Sequence, residues 1–491
     1  MTTAHKAVSG VAWTVAMGGA ARMLGLGGTV ALTHFLAPDV CGDVSAASIA
    51  VITANQFSQL GVGMYVIANR DCGRRVIFHA TMIHLTLGVV ALLGVLALRW
   101  PISRWVNAPE LPMFLPGLVL AMAFDRIAFM PERLLARDMR FRRLGLGKAM
   151  AEAALPIVAV TTAWRGAGGM ALVYGNIARS AVNLAMVSTA MDRREWLDFA
   201  PVDRATLRML VGYGGIVSVG QFASVVARKW DNLLVSRFYG AWIMGGYNLA
   251  YNLADIPAIQ VGEQITDVLL ASLANVERER RRDALLRATG LIALIMFPLS
   301  VGLGAVANTI VSAFLDKRWV EVGPMLTVLA GLSITRPVAG AMSAYMQVRN
   351  DTRAAAFLEI VNLTAIVVSI STIGRHNLLW CCFAVGIAFG VRMLLSLWLV
   401  RSTDGISLSS IGAVLWRPLA ACVPLVVAVL GVRHLLWGTR IQGNVIALAA
   451  EVVAGGLAYV AGALTIDHKN SRELLRLARE TLLRRRKARA G

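Results

Sequence analysis

Long apolar stretches, separated by short polar segments, follow one another along the chain from residue 9 to residue 466. Each is about as long as the ~20 apolar residues that a helix needs to cross the ~30 Å hydrocarbon core of a bilayer. Because the backbone inside that core must satisfy its own hydrogen bonds, we expect each stretch to be a helix. The pattern predicts about fourteen transmembrane helices, at 9–33, 43–68, 76–98, 113–132, 147–163, 168–190, 210–236, 245–272, 288–312, 321–345, 354–373, 377–400, 411–432 and 443–466.

Composition and charge support a membrane protein. The 491 residues are 57% hydrophobic and 15% charged, whereas globular proteins have roughly 25% charged residues. A net charge of +20 would indicate nucleic acid as the partner of a soluble protein. Here lysine and arginine concentrate in alternate loops, so we expect no nucleic-acid partner. By the positive-inside rule, this distribution predicts that both termini are cytoplasmic.

The two halves of the chain resemble each other. Segment 33–47 aligns with segment 236–250 at an offset of 203 residues, and each joins the first predicted helix of a half to the second. A second match aligns 142–152 with 349–359. Both repeats begin on the same predicted side of the membrane, which indicates a parallel duplication. Duplicated halves are typical of secondary transporters, whose substrate site lies between them.

The duplication predicts the domain organisation and the fold class. The expected fold is an all-α polytopic membrane protein, with two parallel-repeat six-helix bundles and two extra C-terminal helices. The predicted parts are an N-terminal bundle at 1–191, a cytoplasmic linker at 192–208, a C-terminal bundle at 209–401, two further transmembrane helices at 402–466 and a basic cytoplasmic tail at 467–491.

Charged residues within the predicted helices are the main functional signal, because each costs at least ~2.5–3.5 kcal/mol at the bilayer centre. Arg22, Arg179 and Arg336 have no acidic residue within one turn of their own helix. We expect at least two of these three arginines to face a central cavity. Arg126 and Lys229 extend the set of candidates. Since intramembrane positive charge exceeds negative charge, the pattern favours an anionic substrate.

Structural ion pairs are the alternative interpretation of these charges. Asp125 adjoins Arg126, and Arg392 can pair with Glu359 on a neighbouring predicted helix. Pairing of this kind would account for about half of the intramembrane charges without any function, because a buried charge needs a partner.

The predicted helix at 245–272 is the most polar of the set. Its polar side chains cover about half of the helix circumference, so we expect it to line water rather than lipid. The polar residues are Asn248, Tyr251, Asn252, Asp255, Gln260, Glu263, Gln264 and Asp267.

Motifs of enzymes and metal sites are missing from the sequence. There is no phosphate-binding glycine loop, no nucleophile elbow and no His/Cys spacing suited to a metal ion. The five cysteines are scattered. We therefore expect no enzyme activity, no catalytic residues, no cofactor and no bound metal.

Four segments have a familiar order and spacing. They are KAVSGVAW at 6–13, LTHFLAPDVCG at 32–42, LARDMRFRR at 135–143 and DNLLVSRFYGAWIMGGYNLA at 231–250. The chain thereby resembles the Wzx-like polysaccharide flippases of the multidrug/oligosaccharidyl-lipid/polysaccharide exporter superfamily. The second segment is similar to that family's Arg-x-Leu-x-Pro-x-x-x-Gly pattern, and the fourth to its Asp…Gly-x-Tyr-x-x-Ala pattern. The family often has a basic residue just before the leucine of this turn, whereas this chain has His34 and Phe35 there.

The resemblance implies two six-helix bundles around a central cavity in the bacterial inner membrane. It implies translocation of an undecaprenyl-diphosphate-linked oligosaccharide to the periplasmic leaflet by alternating access. The cavity arginines would bind the diphosphate, and polar side chains would suit sugar hydroxyls; the candidates for the latter are Asn248, Asn252 and Gln260. Coupling to a proton or sodium gradient is a further expectation; its candidate residues are Asp255, Glu263 and Glu359.

Two other functions remain open at this point. A small-molecule efflux antiporter of the same superfamily would suit the predicted helices, although a cationic drug would prefer an acidic cavity. A membrane polymerase or ligase would need a larger external loop than the one at 99–112. For the flippase, a polysaccharide polymerase and a chain-length regulator are the expected protein partners.

Overall fold

The computed structural model describes residues 23–69, 71–257, 277, 280–349, 351–468, 470–472, 474 and 476. Regular secondary structure within these residues is helical throughout, which confirms the predicted all-α class. Three of the candidate residues lie outside the described part of the chain: Arg22, Gln260 and Glu263. Most of the predicted basic tail at 467–491 also lies outside it.

The helices up to residue 257 alternate with short turns. They are α1 Met23–Phe35, α2 Pro38–Phe57, α3 Val62–Ala68, α4 Arg74–Ala97, α5 Arg99–Val106, α6 Leu111–Arg137, α7 Phe141–Trp164 and α8 Met170–Ala190. A long helix, Arg204–Pro257, follows; Gly240 at φ 81° and ψ 176° divides it into α9 at 204–239 and α10 at 241–257.

The helices after residue 280 follow the same pattern. They are α11 Arg281–Phe314, α12 Val322–Leu332, α13 Thr335–Val348, α14 Thr352–Ser369, α15 Leu378–Asp404, α16 Leu408–Leu435 and α17 Val445–Ile466. A π-helical turn, Ile370–Gly374, extends α14.

Among the described residues, ten helical segments are long and apolar enough to cross a membrane. Each coincides with one of the predicted spans; the segment at the predicted span 321–345 comprises α12 and α13, which are separated by a turn at 333–334. The shortest predicted span, at 147–163, corresponds to a full-length helix that begins earlier, at Phe141. The extra turns carry Arg142 and Arg143, and these charges concealed the true start of the helix from a hydropathy pattern.

The prediction of one continuous span at 43–68 is wrong. The structure has two helices there, α2 and α3, joined by a turn at 58–61. Gly61 adopts a left-handed conformation with φ 55°, which is accessible to glycine at little cost. The break lies inside an apolar segment, where interrupted helices are tolerated only if other groups satisfy the freed backbone.

The chain divides into two compact units, Met1–Gly246 and Tyr247–Gly491. The predicted linker at 192–208 therefore lies inside the first unit. Its Trp196 is only 4% exposed and belongs to an apolar cluster with Leu210 of α9 and Leu134 of α6. The predicted boundary at 192–208 follows the duplication in the sequence and stays a prediction. The boundary between the compact units lies later in the chain, because α9 packs with the first unit.

The repeated segment 33–47 meets the first part of the other repeated segment, 236–246, inside the first unit. A Cβ atom on Gly42 would overlap the carbonyl oxygen of Ala241, and a Cβ atom on Gly245 would overlap the carbonyl oxygen of Pro38. Pro38 and Ala241 are the first residues of α2 and α10, and the pairs 38/241 and 42/245 share the 203-residue offset. The contact is thus reciprocal, as a pseudo-two-fold duplication requires.

In the second unit, α16 and α17 pack against α11 through a buried apolar cluster that includes Leu294, Val306, Leu425 and Tyr459. The Tyr459 hydroxyl donates a hydrogen bond to the Leu294 carbonyl oxygen at 2.6 Å. The two helices outside the predicted repeat are therefore joined firmly to the second unit.

Candidate functional site

Arg179 lies between two carboxylates contributed by other helices of the first unit. From α8, its guanidinium contacts Asp125 of α6 at 3.6 Å and Glu152 of α7 at 3.9 Å. The Arg179 side chain is 32% exposed, so the cluster is half-open rather than sealed in a core. When all three groups are ionised, the cluster carries one more negative than positive charge.

A second polar layer continues the first along the same three helices. Glu132 of α6 accepts a hydrogen bond from Asn183 of α8 at 2.7 Å. The same carboxylate lies 3.8 Å from the ammonium group of Lys148 on α7. We call these six residues the polar ladder: Asp125, Glu132, Lys148, Glu152, Arg179 and Asn183. These residues lie on three neighbouring helices, with one layer about two turns from the other along α6.

Arg336 forms a charged site in the second unit. From α13, its guanidinium pairs with Asp255 of α10. The Phe389 ring lies 5.0 Å from the guanidinium carbon and the Tyr251 ring 6.0 Å from it. Such cation–π contacts stabilise a guanidinium while leaving its N–H groups available to an oxygen ligand. Asp255 and Arg336 both remain partly exposed.

The polar face predicted for 245–272 is present in its described part. Asn252 donates a hydrogen bond to Asn248 at 3.1 Å, and Asp255 follows on the same face of α10. Asn252 is exposed and Asn248 is half-buried. Three neighbouring polar residues on one face are suited to sugar hydroxyls, which both donate and accept hydrogen bonds.

The predicted pairing of Arg392 with Glu359 is confirmed. The Arg392 guanidinium donates to the Glu359 carboxylate at 2.6 Å, between α15 and α14. By contrast, Asp125 pairs with Arg179 and not with its sequence neighbour Arg126. The expectation that Arg179 and Arg336 lack acidic neighbours holds only along their own helices, because their partners come from other helices.

Arg126 has a structural task that the sequence did not reveal. It is 4% exposed and donates hydrogen bonds to the carbonyl oxygens of Asn55 and His84, each at 2.8 Å, and to the Ser58 hydroxyl. Asn55 and Ser58 lie at the end of α2, so the guanidinium satisfies the Asn55 carbonyl at the end of the broken helix. This use of its donors leaves its predicted role in substrate binding without support. Lys229, the remaining candidate, lies half-buried on α9.

Glu451 is a buried charge that the sequence pattern did not single out. It is 1% exposed and binds the Arg433 guanidinium through both carboxylate oxygens at 3.1 Å. The Thr309 hydroxyl donates to it at 2.9 Å, and Arg433 also donates to the Ala305 carbonyl at 2.6 Å. This network links α16, α17 and α11, so its role is structural.

These observations define the class of protein. The chain is a multi-pass helical membrane protein with partly exposed ion pairs inside its membrane-spanning helices, a feature typical of transporters. Its fold is similar to that of the Lipid II flippase MurJ in an inward closed conformation, with a TM-score of 0.76, 12% sequence identity and coverage of 94% of this chain and 99% of that chain. It is also similar to an inward-facing multidrug resistance MATE family transporter of the MOP superfamily, with a TM-score of 0.56, 16% identity and coverage of 84% and 99%.

Relatives and a family model then identify the family. The lipopolysaccharide biosynthesis protein WzxC of Escherichia coli K12 is 22% identical over 351 residues, 71% of each chain. The succinoglycan biosynthesis transport protein ExoT of Rhizobium meliloti is 21% identical over 469 residues, 91% of this chain and 90% of that protein. The family model described as "Polysaccharide biosynthesis protein" matches residues 31–324. The chain belongs to this family, and the resemblance drawn from its motifs is confirmed.

Proposed function

We propose that the protein is a flippase that moves an undecaprenyl-diphosphate-linked oligosaccharide repeat unit across the bacterial inner membrane. The repeat unit passes from the cytoplasmic to the periplasmic leaflet by alternating access and serves exopolysaccharide, capsule or lipopolysaccharide synthesis. Family membership and relatives named for polysaccharide biosynthesis and transport support this proposal. We further propose that both termini are cytoplasmic, that the protein is not an enzyme, and that a polymerase and a chain-length regulator act downstream.

The observation that carries the proposal is the Arg336 site. A charge at bilayer depth is expensive and persists where it has a partner and a task. A guanidinium remains protonated and binds phosphate oxygens in pairs. Arg336 has one carboxylate partner, Asp255, two aromatic rings that hold it in place, and partial exposure. The polar face of α10, with Asn248 and Asn252, adjoins it.

Binding then takes the form of an exchange of anions. The diphosphate replaces the Asp255 carboxylate on Arg336, and the released carboxylate takes up a proton or a sodium ion. Return of Asp255 to Arg336 expels the diphosphate. A fully buried charge that loses its partner costs ~3–5 kcal/mol. Because Arg336 and Asp255 are both partly exposed, the exchange avoids a cost of this size. Asp255 is thus our leading candidate for ion coupling, and Glu359 is a second.

An apolar cavity in the first unit supports a lipid-linked substrate. Its volume is about 530 Å³, and its lining includes Thr53, Gly94, Trp105 and Trp230. The Trp230 indole N–H donates to the Thr53 hydroxyl at 3.3 Å, so the polar groups of this wall bind each other. The remaining surface is suited to hydrocarbon, and we propose that part of the prenyl chain rests there.

The proposal is tested in a deletion strain that expresses the protein or its variants. Lipid-linked oligosaccharides are extracted, and their leaflet is determined from their accessibility to a glycosidase in spheroplasts. We expect complete repeat units to be trapped on the cytoplasmic leaflet without the protein and to be released by the wild type. Arg336→Gln should fail to release them, whereas Arg104→Gln, at an exposed position of α5, should act as the wild type does.

Two outcomes would contradict the proposal. Repeat units that already face outward but stay unpolymerised would assign the protein to polymerisation or ligation. Full activity of Arg336→Gln at wild-type expression would remove Arg336 from substrate binding. Loss of activity in Arg336→Gln and rescue by Arg336→Lys would indicate that charge alone suffices, without paired phosphate hydrogen bonds.

Cation efflux is a second candidate, favoured by one observation. The Arg179 cluster has two carboxylates for one guanidinium, and an excess of negative charge suits a cationic drug. An efflux protein would lower the accumulation of a cationic dye in cells, and Asp125→Asn would abolish this effect. No change in dye accumulation on expression of the wild type would exclude the efflux function.

A further inference from the structure

A small cavity lies beside the break in the second span, in the first unit. It is lined by residues 59–64, at the turn and the start of α3, and by His84, Phe129, Arg133 and Gln221. Its volume is about 30 Å³, which is enough for a small occupant, since one water molecule needs roughly 10–15 Å³ by this measure. The lining contains no carboxylate.

Two buried N–H donors of the lining have no hydrogen-bond partner in the described structure. His84 is 2% exposed, and its Nδ1 atom lies 3.5 Å from a guanidinium nitrogen of Arg126. A guanidinium only donates, so Nδ1 is the acceptor and the imidazole proton is on Nε2. Nε2 of His84 and Nε of Arg133 are both buried and unpartnered. Buried donors without an acceptor are costly.

The same cavity has an excess of positive charge. Glu132, the sequence neighbour of Arg133, is held in the polar ladder by Asn183 and Lys148. Arg126, next to His84, donates to carbonyl and hydroxyl oxygens. Neither Arg126 nor Arg133 has a carboxylate within ion-pair distance in the part of the chain that the structure describes.

The aromatic ring of Phe129 holds both donors in position. The His84 ring stacks on it, with centroids 4.0 Å apart and planes at 15°. The Arg133 guanidinium carbon lies 4.8 Å from the same ring. The pocket is thus small and positively charged, and its two donors are preorganised for an anion by the Phe129 ring.

We propose that this cavity binds one monatomic anion of chloride size, with His84 Nε2–H and Arg133 as its donors. The anion would neutralise part of the charge of Arg126 and Arg133 and so stabilise the broken helix. This site is separate from the Arg336 site, and the inference does not rest on the proposed function.

Bromide replaces chloride in such sites and scatters X-rays anomalously. Crystals of the wild-type protein grown in sodium bromide should show an anomalous difference peak between His84 and Arg133. Density at that point without anomalous signal would mean that the cavity holds water, and it would overturn the proposal. This measurement needs no variant and therefore does not depend on whether substituted proteins fold.

The thermal unfolding midpoint of the full-length protein in detergent gives a second test. Sodium chloride is compared with sodium gluconate at constant ionic strength. We expect the midpoint to rise with chloride and to saturate, because a ligand that binds only the native state stabilises it by mass action. His84→Phe retains a stacked ring but lacks the donor, and it should lose the chloride response, as should Arg133→Gln. The control Arg104→Gln should keep it. Equal midpoints of the wild type in both salts would contradict the proposal.

Discussion

Replacing Gly42 with alanine tests the reciprocal contact between the repeated segments. The new Cβ atom would overlap the carbonyl oxygen of Ala241, which belongs to the backbone of α10. A side chain could rotate away, but a backbone carbonyl cannot move without displacing its helix. The substitution therefore acts on the separation of two helices and not on a single rotamer.

The expected magnitude follows from two opposing effects. Overpacking a close contact costs ~1–3 kcal/mol. Replacing glycine by alanine inside a helix contributes up to ~1 kcal/mol in the opposite direction through helix propensity. Gly94 of α4 is the matched control, because a Cβ atom there would meet no atom within 4 Å. The difference between Gly42→Ala and Gly94→Ala isolates the clash and should be ~1–3 kcal/mol.

The assay is unfolding of the purified variants in one detergent, followed by thermal or denaturant titration with the wild type in parallel. Gly94→Ala should equal or exceed the wild type in stability, and Gly42→Ala should fall below it. Gly245→Ala should behave as Gly42→Ala does, because its Cβ atom would overlap the Pro38 carbonyl.

The double variant gives the sharpest result. Both substitutions push the same two helices apart, so the first should reduce the cost of the second. Residues in contact commonly show interaction energies of ~0.5–3 kcal/mol. Strict additivity of Gly42→Ala and Gly245→Ala would mean that the two glycines act independently. Equal stability of Gly42→Ala and Gly94→Ala would refute the contact itself.

Two further predictions concern other sites. Glu451→Gln leaves the buried Arg433 guanidinium without its counter-charge and should destabilise the second unit by ~3–5 kcal/mol. Glu451→Met with Arg433→Met should lose much less in the same unfolding assay, and equal losses would argue against an ion pair. Asp203 precedes α9, where hydrogen bonds from the Thr206 hydroxyl and the Ala205 N–H lower its pKa. Its folded pKa thus lies below the unfolded value of about 3.9, so its contribution is present above that value and is lost as pH falls through the folded pKa. Asp203→Asn should show a smaller loss of stability on acidification than the wild type, and identical pH profiles would contradict this assignment.

The predictable part of the fold is the part that depends on local composition. Length and apolarity identify a spanning helix whatever surrounds it, and ten described segments agree with the predicted spans. The break at 58–61 was not predictable, because Gly61 in a left-handed turn looks the same in sequence as a glycine used for close packing. Only the position of Arg126, four helices after α2, reveals how the broken end is satisfied.

The charged residues of the candidate sites could be predicted from the sequence, but their ion-pair partners could not. Sequence identifies a charge and its depth, yet the partner depends on how each helix is rotated toward its neighbours. Arg179 therefore looked unpaired, although it contacts Asp125 and Glu152 on two other helices. Glu451 was overlooked because a single acid in a strongly apolar helix gives no periodic signal.

The reciprocal contact of Gly42 and Gly245 has an evolutionary consequence. In a half-length ancestor, one segment would have met its own copy around a two-fold axis, as in the isologous interface of a homodimer. A single substitution would then have introduced two clashes at once. After fusion each glycine can mutate alone, yet the facing carbonyl still leaves no room for a side chain. A duplication of this kind would therefore retain glycine in both copies, because fusion of the halves relaxes the steric constraint at neither position.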